Sequence, residues 1–314
     1  MPVLTVRPVG SAARRGNIRG SNAPKAEPGV SDEYFRSCCF FRRSRRYCRT
    51  GRAEYGRTAT AFHWGDGFYV AAEEAVEPDE ELQLSLASGE TATTKLVGRD
   101  PSTGIALFKL ATAAVAPVLE KAGPVRPGHL IVVAGRDGAS SLAVLGTVGE
   151  VGPAWCSQRG GTIDRRINLA VMTGGRFEGG PVLDARGGLV GMLLFGPHRR
   201  ALIIPFETIE RTVATLKSKG YVLRGYLGAG LHPIHHTDVQ GAIVVSLDEE
   251  GPAKAAGIVL GDIVISWNGE KVRGPRELIR RLGPDGANAA VTLGLLRGGK
   301  AHDVAVTIGE KPLS

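Results

Sequence analysis

Arg176-Phe177-Glu178-Gly179-Gly180-Pro181, continuing as Val182-Leu183-Asp184, is the stretch from which the fold of this 314-residue chain is best read. Two adjacent glycines allow backbone conformations closed to other residues, so a turn there can aim its N–H groups into a pocket. Pro181 then opens a short apolar run that suits a strand. Glu178 stands directly before the glycines, and a carboxylate cannot be activated by a general base as a hydroxyl can.

Outward from this loop, residues 58–220 alternate short apolar runs with Gly-rich turns. Strands are expected at Thr58–Trp64, Phe68–Ala71, Leu82–Leu86, Thr91–Val97, Ile105–Leu110, Leu130–Ala134, Leu142–Gly149, Ile167–Val171, Pro181–Leu183, Leu189–Phe195 and Ala201–Ile204. Many strands joined by turn signals indicate a β-barrel or sandwich. Pro205 opens an amphipathic helix with Ile209, Val213 and Leu216 on one face, closed by Gly220. Residues 221–314 change character: strands at Ala242–Leu247 and Ile263–Trp267, a turn at Asn268-Gly269, helices around Pro252–Ala256 and Pro275–Leu282, and a closing hairpin of Val291–Arg297 with Ala301–Ile308.

The net charge of +8 is unevenly placed. Residues 1–57 hold 13 Lys/Arg against 4 Asp/Glu, which leaves the remainder nearly neutral. Eight arginines between Arg36 and Arg57, interleaved with Phe40, Phe41, Tyr47 and Tyr55, suit phosphate and base contacts. The composition suits a disordered or poorly packed basic arm better, and nucleic acid is not the expected partner. Four cysteines (Cys38, Cys39, Cys48 and Cys156) make no disulfide framework and no zinc-ligand spacing. No apolar run approaches the roughly 20 residues of a membrane span, and no secretory h-region of about 7–15 residues opens the chain. Cytoplasmic residence, no membrane association and no cofactor or metal are the expectations.

Several blocks together resemble HtrA-type (Deg-like) serine proteases with one C-terminal PDZ domain. They are Gly98-Arg99-Asp100-Pro101-Ser102-Thr103, Ala106-Leu107-Phe108-Lys109-Leu110, Gly179 to Asp184, Gly188-Leu189-Val190-Gly191, Ile203-Ile204-Pro205 and Arg224-Gly225-Tyr226-Leu227-Gly228. The resemblance implies a mostly β protein: a trypsin-like double β-barrel over 58–220, then a circularly permuted PDZ domain over 221–314. It also implies a serine endopeptidase of protein quality control.

The catalytic positions depart from that family. Its histidine falls at Glu74 in Val70-Ala71-Ala72-Glu73-Glu74-Ala75, its aspartate at Gly104 and its serine at Glu178. Base, orienting group and nucleophile are all replaced by residues without those functions. Arg176 replaces the glycine two residues before the nucleophile, and a Cβ there disfavours the positive φ that some oxyanion loops use. No substitute triad stands out: His63 is expected to be structural, the other histidines fall in turns or in the PDZ half, and Ser140 and Ser141 sit in a turn. The leading expectation is a catalytically inactive protein, with an active endopeptidase of misaligned or unconventional site as the alternative. Glu74 and Glu178, with Glu73 beside them, are expected to face one cleft. Two carboxylates there would raise one pKa or hold a hard cation; the plainer expectation pairs Arg176 with a glutamate.

The PDZ half keeps what its chemistry needs. By resemblance Tyr226-Leu227-Gly228-Ala229 would hold a partner's terminal carboxylate, Gly230 and Leu231 would begin the pairing edge, and Leu278 and Ile279 would shape an apolar pocket. Polypeptide C-termini or a partner protein are the expected ligands. Homo- or hetero-oligomerisation is left open, because the N-terminus matches the family's aromatic trimer contacts poorly.

Overall fold

The computed structural model describes residues 38–42, 58–76, 82–86, 88, 90–110, 117–137, 140–196, 200–235 and 239–311. Six strands make the first barrel: β1 (Cys38–Arg42), β2 (Thr58–Gly65), β3 (Phe68–Ala72), β4 (Leu82–Ser85), β5 (Thr91–Asp100) and β6 (Ile105–Leu110). They close in the order β1-β2-β3-β6-β5-β4. The second barrel uses β7 (Leu130–Asp137), β8 (Ser140–Gly152), β11 (Arg166–Ala170), β12 (Pro181–Asp184), β13 (Leu189–Phe195) and β14 (Ala201–Pro205). It closes as β11-β14-β13-β12-β7-β8. Between β8 and β11 stands a small hairpin of β9 (Trp155–Cys156) and β10 (Thr162–Ile163). Closure leaves neither sheet an open edge.

Apolar alternation explains why these strands were legible: residues such as Phe62, Val70 and Leu107 from one barrel meet Leu183, Met192 and Ile204 from the other in a shared core. Helix α1 (Phe206–Lys219) buries Ile209, Val213 and Leu216 against that core. It stops at Gly220, whose φ of 78° lets the last turn close through a bond from its N–H to the Leu216 carbonyl. The approach to β5 is tight: a Cβ on Gly98 would lie 1.9 Å from the Gly220 carbonyl oxygen.

The expected arm is corrected in one segment. Cys38–Arg42 is not an extension but strand β1, paired with both β2 and β4. Its sequence, Cys-Cys-Phe-Phe-Arg, carries no clear alternation, so only its neighbours in space reveal it. The rest of the expected arm lies outside the described residues.

The C-terminal sheet runs β16 (Ala229–His235), β17 (Gln240–Leu247), β18 (Ile263–Trp267), β20 (Ala290–Arg297) and β21 (Lys300–Thr307) in that order, with β19 (Glu270–Lys271) hairpinned to β18. The hairpin turns through Asn268 and Gly269, both at positive φ (49° and 80°). A separate pair, β15 (Gly225–Tyr226) with β22 (Gly309–Glu310), ties the ends of the domain together. Helices α2 (Pro252–Ala255) and α3 (Pro275–Arg281) cover a core that includes Leu227, Val264, Trp267, Leu278 and Leu293. All described residues belong to one compact unit, Asp32–Ser314.

Candidate functional site

The three positions at which the sequence resemblance expects a catalytic triad arrive from three different connections. Glu74 sits in the 3-10 turn Glu73–Ala75 after β3. Gly104 ends the turn joining β5 to β6, where its N–H bonds to the Asp100 carbonyl at 2.9 Å and its own carbonyl accepts the Glu73 N–H at 2.9 Å. Glu178 follows the 3-10 turn Gly175–Phe177 and leads into β12. All three line one cavity of about 450 Å³, together with Glu73, Ser102, Trp155, Arg159 and Leu194.

Close backbone approach explains the glycines beside Glu178. Gly179 has φ +77°, and a Cβ on it would lie 2.4 Å from the Thr60 carbonyl oxygen. A Cβ on Gly180 would lie 2.2 Å from that of Ala134. These two residues hold the loop against both barrels, whatever side chain precedes them.

The hydroxyl groups around the cleft make structural hydrogen bonds. The Ser102 hydroxyl donates to Asp100 at 2.6 Å and the Thr103 hydroxyl to the same carboxylate at 2.7 Å, which closes the turn rather than arming a nucleophile. The Ser157 hydroxyl oxygen accepts the N–H groups of Arg159 and Gly161. His63 is buried; its Nε2 accepts the Gly67 N–H at 3.3 Å while Nδ1 faces the Pro117 carbonyl at 3.4 Å, the structural role expected of it. Among the described residues no serine hydroxyl is hydrogen-bonded to a histidine.

The loop before Gly179 binds its own N–H groups. The Glu178 N–H donates to the Gly175 carbonyl at 3.1 Å and the Phe177 N–H to that of Gly174 at 3.1 Å. An N–H bound inside its own turn does not face an oxyanion. Arg176 is not at positive φ, and its side chain pairs with Asp137 at 2.6 Å rather than with a glutamate, correcting that expectation. Its carbonyl accepts the Thr60 hydroxyl at 2.8 Å.

The Glu73 carboxylate has a raised pKa. Burial raises it first, offset in part by the cations of Arg159 and Arg99, and Glu74 adds a smaller push. The nearest Arg159 nitrogen is 3.5 Å away. Glu74 is exposed, and no cluster of three metal-ligating side chains occurs among the described residues. Trp155, whose indole N–H is buried without a partner, and Arg159 enter the site from the β9–β10 hairpin. Nothing in the sequence marks them, because that hairpin reaches the cleft only by tertiary folding.

The second candidate site is the edge of β16, which pairs with no strand but β17 among the described residues. Gly228 has φ +70°, and a Cβ there would lie 2.7 Å from the Gly251 Cα. The Gly228 carbonyl accepts the Asp248 N–H and the Leu227 carbonyl the Ala253 N–H, while the N–H groups of Leu227 and Gly228 meet no backbone acceptor among the described residues. Leu227 is buried, and Tyr226 pairs with Gly309. Ala229 and Leu231 pack partly onto the core from β16. Leu278 is wholly buried in the domain core and offers no surface to a groove; on α3 the exposed apolar residue is Ile279.

A trypsin-like peptidase domain model matches residues 59–192 and a PDZ domain model residues 225–308. Fold and matches define the class: an HtrA/DegP-like chain with a trypsin-fold protease domain followed by a PDZ domain. The chain is 30% identical over 269 residues to the probable periplasmic serine endoprotease DegP-like of Brucella suis, covering 79% of this chain and 51% of the relative. To the protein of the same name from Bartonella henselae it is 28% identical, covering 79% and 52%. It thus spans about half the length of these relatives. Among solved structures it is similar in fold to the HtrA-type protease AlgW with decapeptide (TM-score 0.62, 17% identity, 90% of this chain and 99% of that one). The serine endoprotease from Yersinia pestis is comparable (TM-score 0.63, 20% identity, 91% and 100%).

The relatives overturn the cytoplasmic expectation, since their names place them in the periplasm. The physical reason is plain: two barrels with large apolar cores need no disulfide staples, so a low cysteine count does not report the compartment.

Proposed function

We propose that this chain is a non-hydrolysing HtrA-like protein that captures polypeptide C-termini, or scaffolds a complex, through its PDZ domain, in the periplasm. One observation carries the loss of hydrolysis: Glu74, Gly104 and Glu178 line a single cleft, so neither a histidine base nor a hydroxyl nucleophile stands where the resemblance expects one. The turn that binds the Glu178 N–H internally supports the same reading. The N–H groups of Leu227 and Gly228, which meet no backbone acceptor among the described residues, stand beside the edge of β16 and support carboxylate capture with strand addition.

The relatives' names favour a second reading, an active serine endopeptidase with an unconventional site. Casein turnover, with covalent labelling by a fluorophosphonate, separates the two. No turnover and no labelling is expected; labelling of any serine, together with turnover, establishes the second reading.

A further inference from the structure

The open edge of β16 is interrupted by a proline, and which way that proline faces follows from the ladder on its other side. On β17, the Val244 N–H donates to the Asp262 carbonyl at 2.8 Å and the Val244 carbonyl accepts the Gly261 N–H at 2.9 Å. Both polar groups of Val244 therefore point away from β16. Strand residues alternate, so Ile243 and Gly241 turn their polar groups toward β16, where they face His232 and Ile234. Leu231 and Pro233, which face Val244 and Ala242, must direct theirs to the free edge.

At that edge Leu231 presents an N–H and a carbonyl, whereas Pro233 presents a carbonyl alone. A bound strand can exchange two hydrogen bonds with Leu231, but only its N–H finds a partner at Pro233. Pro233 is exposed and its ring nitrogen takes no part in the ladder to β17, so the fold itself does not require a proline there.

We propose that Pro233 ends the strand addition, so that the groove takes the free C-terminal tail of a polypeptide and reads only about its last three residues. The inference rests on the C-terminus reading above. With the terminal carboxylate at the Leu227 and Gly228 N–H groups, an antiparallel tail at one residue per about 3.4 Å brings its residue two before the end opposite Leu231. Its residue four before the end reaches Pro233, where its carbonyl meets no donor. Backbone beyond that point adds little affinity, and the sequence there is free to vary.

The test uses the full chain and synthetic peptides of three, five and ten residues that share one apolar C-terminal triplet, with an amidated ten-residue control, in calorimetric titrations. In the native chain the three- and ten-residue peptides should bind within about threefold of each other. In Pro233→Ala the restored N–H should tighten the ten-residue peptide by roughly 3–10-fold, the scale of one backbone hydrogen bond, and leave the three-residue peptide unchanged. A thermal melt of the variant establishes that the domain is intact. Native affinity rising more than about tenfold with length, or an unaltered ten-residue affinity in Pro233→Ala, overturns the inference while leaving C-terminus capture in place. Equal binding of the amidated peptide, or no binding of any peptide, overturns the C-terminus reading itself.

Discussion

A Cβ built on Gly104 would lie 2.6 Å from the Leu194 Cδ1, and Gly104 itself has φ +75°. The position where the resemblance expects an aspartate is thus strained by its backbone conformation, and a side chain there would also have to displace the Leu194 methyl, which lines the cleft. Restoring three residue types does not restore three positions. The triple variant Glu74→His, Gly104→Asp, Glu178→Ser is expected to remain at least about 10³-fold below a working triad. Fluorophosphonate labelling at the rate of an intact serine protease would contradict this.

The barrels and the PDZ domain meet backbone to backbone at Gly160 and Gly283. A Cβ on Gly160 would lie 2.5 Å from the Gly283 Cα and 2.4 Å from the Arg280 carbonyl oxygen. Gly160 also has φ +84°, so Gly160→Val adds strain to the clash. The expected cost is about 1–3 kcal/mol, and it should appear as earlier PDZ-linker cleavage in limited proteolysis. Unchanged cleavage kinetics would show that the contact does not hold the domains.

Asp262 is buried, receives Arg297 through two nitrogens at 2.7 Å each, and accepts the Val259 N–H at 2.9 Å. The Arg297 bonds, chiefly, hold its carboxyl below the usual range. A depressed folded pKa means that the stabilisation is present above the unfolded carboxylate range and is lost as pH falls through the folded value. Asp262→Asn should cost about 1–3 kcal/mol near neutral pH, with a flatter acid limb in PDZ melting. An equal loss at every pH would rule out the ionic contribution.

Glu73 has the opposite sign. Burial raises its folded pKa above the usual 4.5, so the folded chain holds this proton more tightly than the unfolded chain does. Stability should decline as pH rises from about 4.5 through the raised value. Glu73→Gln should therefore melt higher than the native chain at neutral pH, and the difference should shrink in acid. A variant that melts lower at neutral pH would show that the 3.5 Å contact with Arg159 outweighs burial.

Strand existence was legible for most of the barrels and of the PDZ sheet, since apolar alternation survives translation into either register of neighbours. Ile105–Leu110, Leu189–Phe195 and Ile263–Trp267 end where the sequence pattern ends. Strand β1 was not legible, because a strand drawn from an arginine-rich segment is defined only by its pairing with β2 and β4. The same limit applied to Leu278: its spacing suits a groove wall, but only the packing of α3 shows it facing inward.

Around Glu178 the amino-acid order alone determined two things. The paired glycines mark a backbone that must pass close to its neighbours, and a carboxylate stands directly before them, where the resemblance expects a serine. Tertiary structure decided the rest. Glu74, Gly104 and Glu178 meet only because connections from both barrels converge on one cleft. Whether the loop's N–H groups face that cleft depends on hydrogen bonds within the turn, and whether Pro233 blocks a ladder or leaves it intact depends on the parity of β17. Composition and periodicity record which residues can be buried or turned; they carry no distances between segments far apart in the chain, and the chemistry of both candidate sites is a matter of those distances.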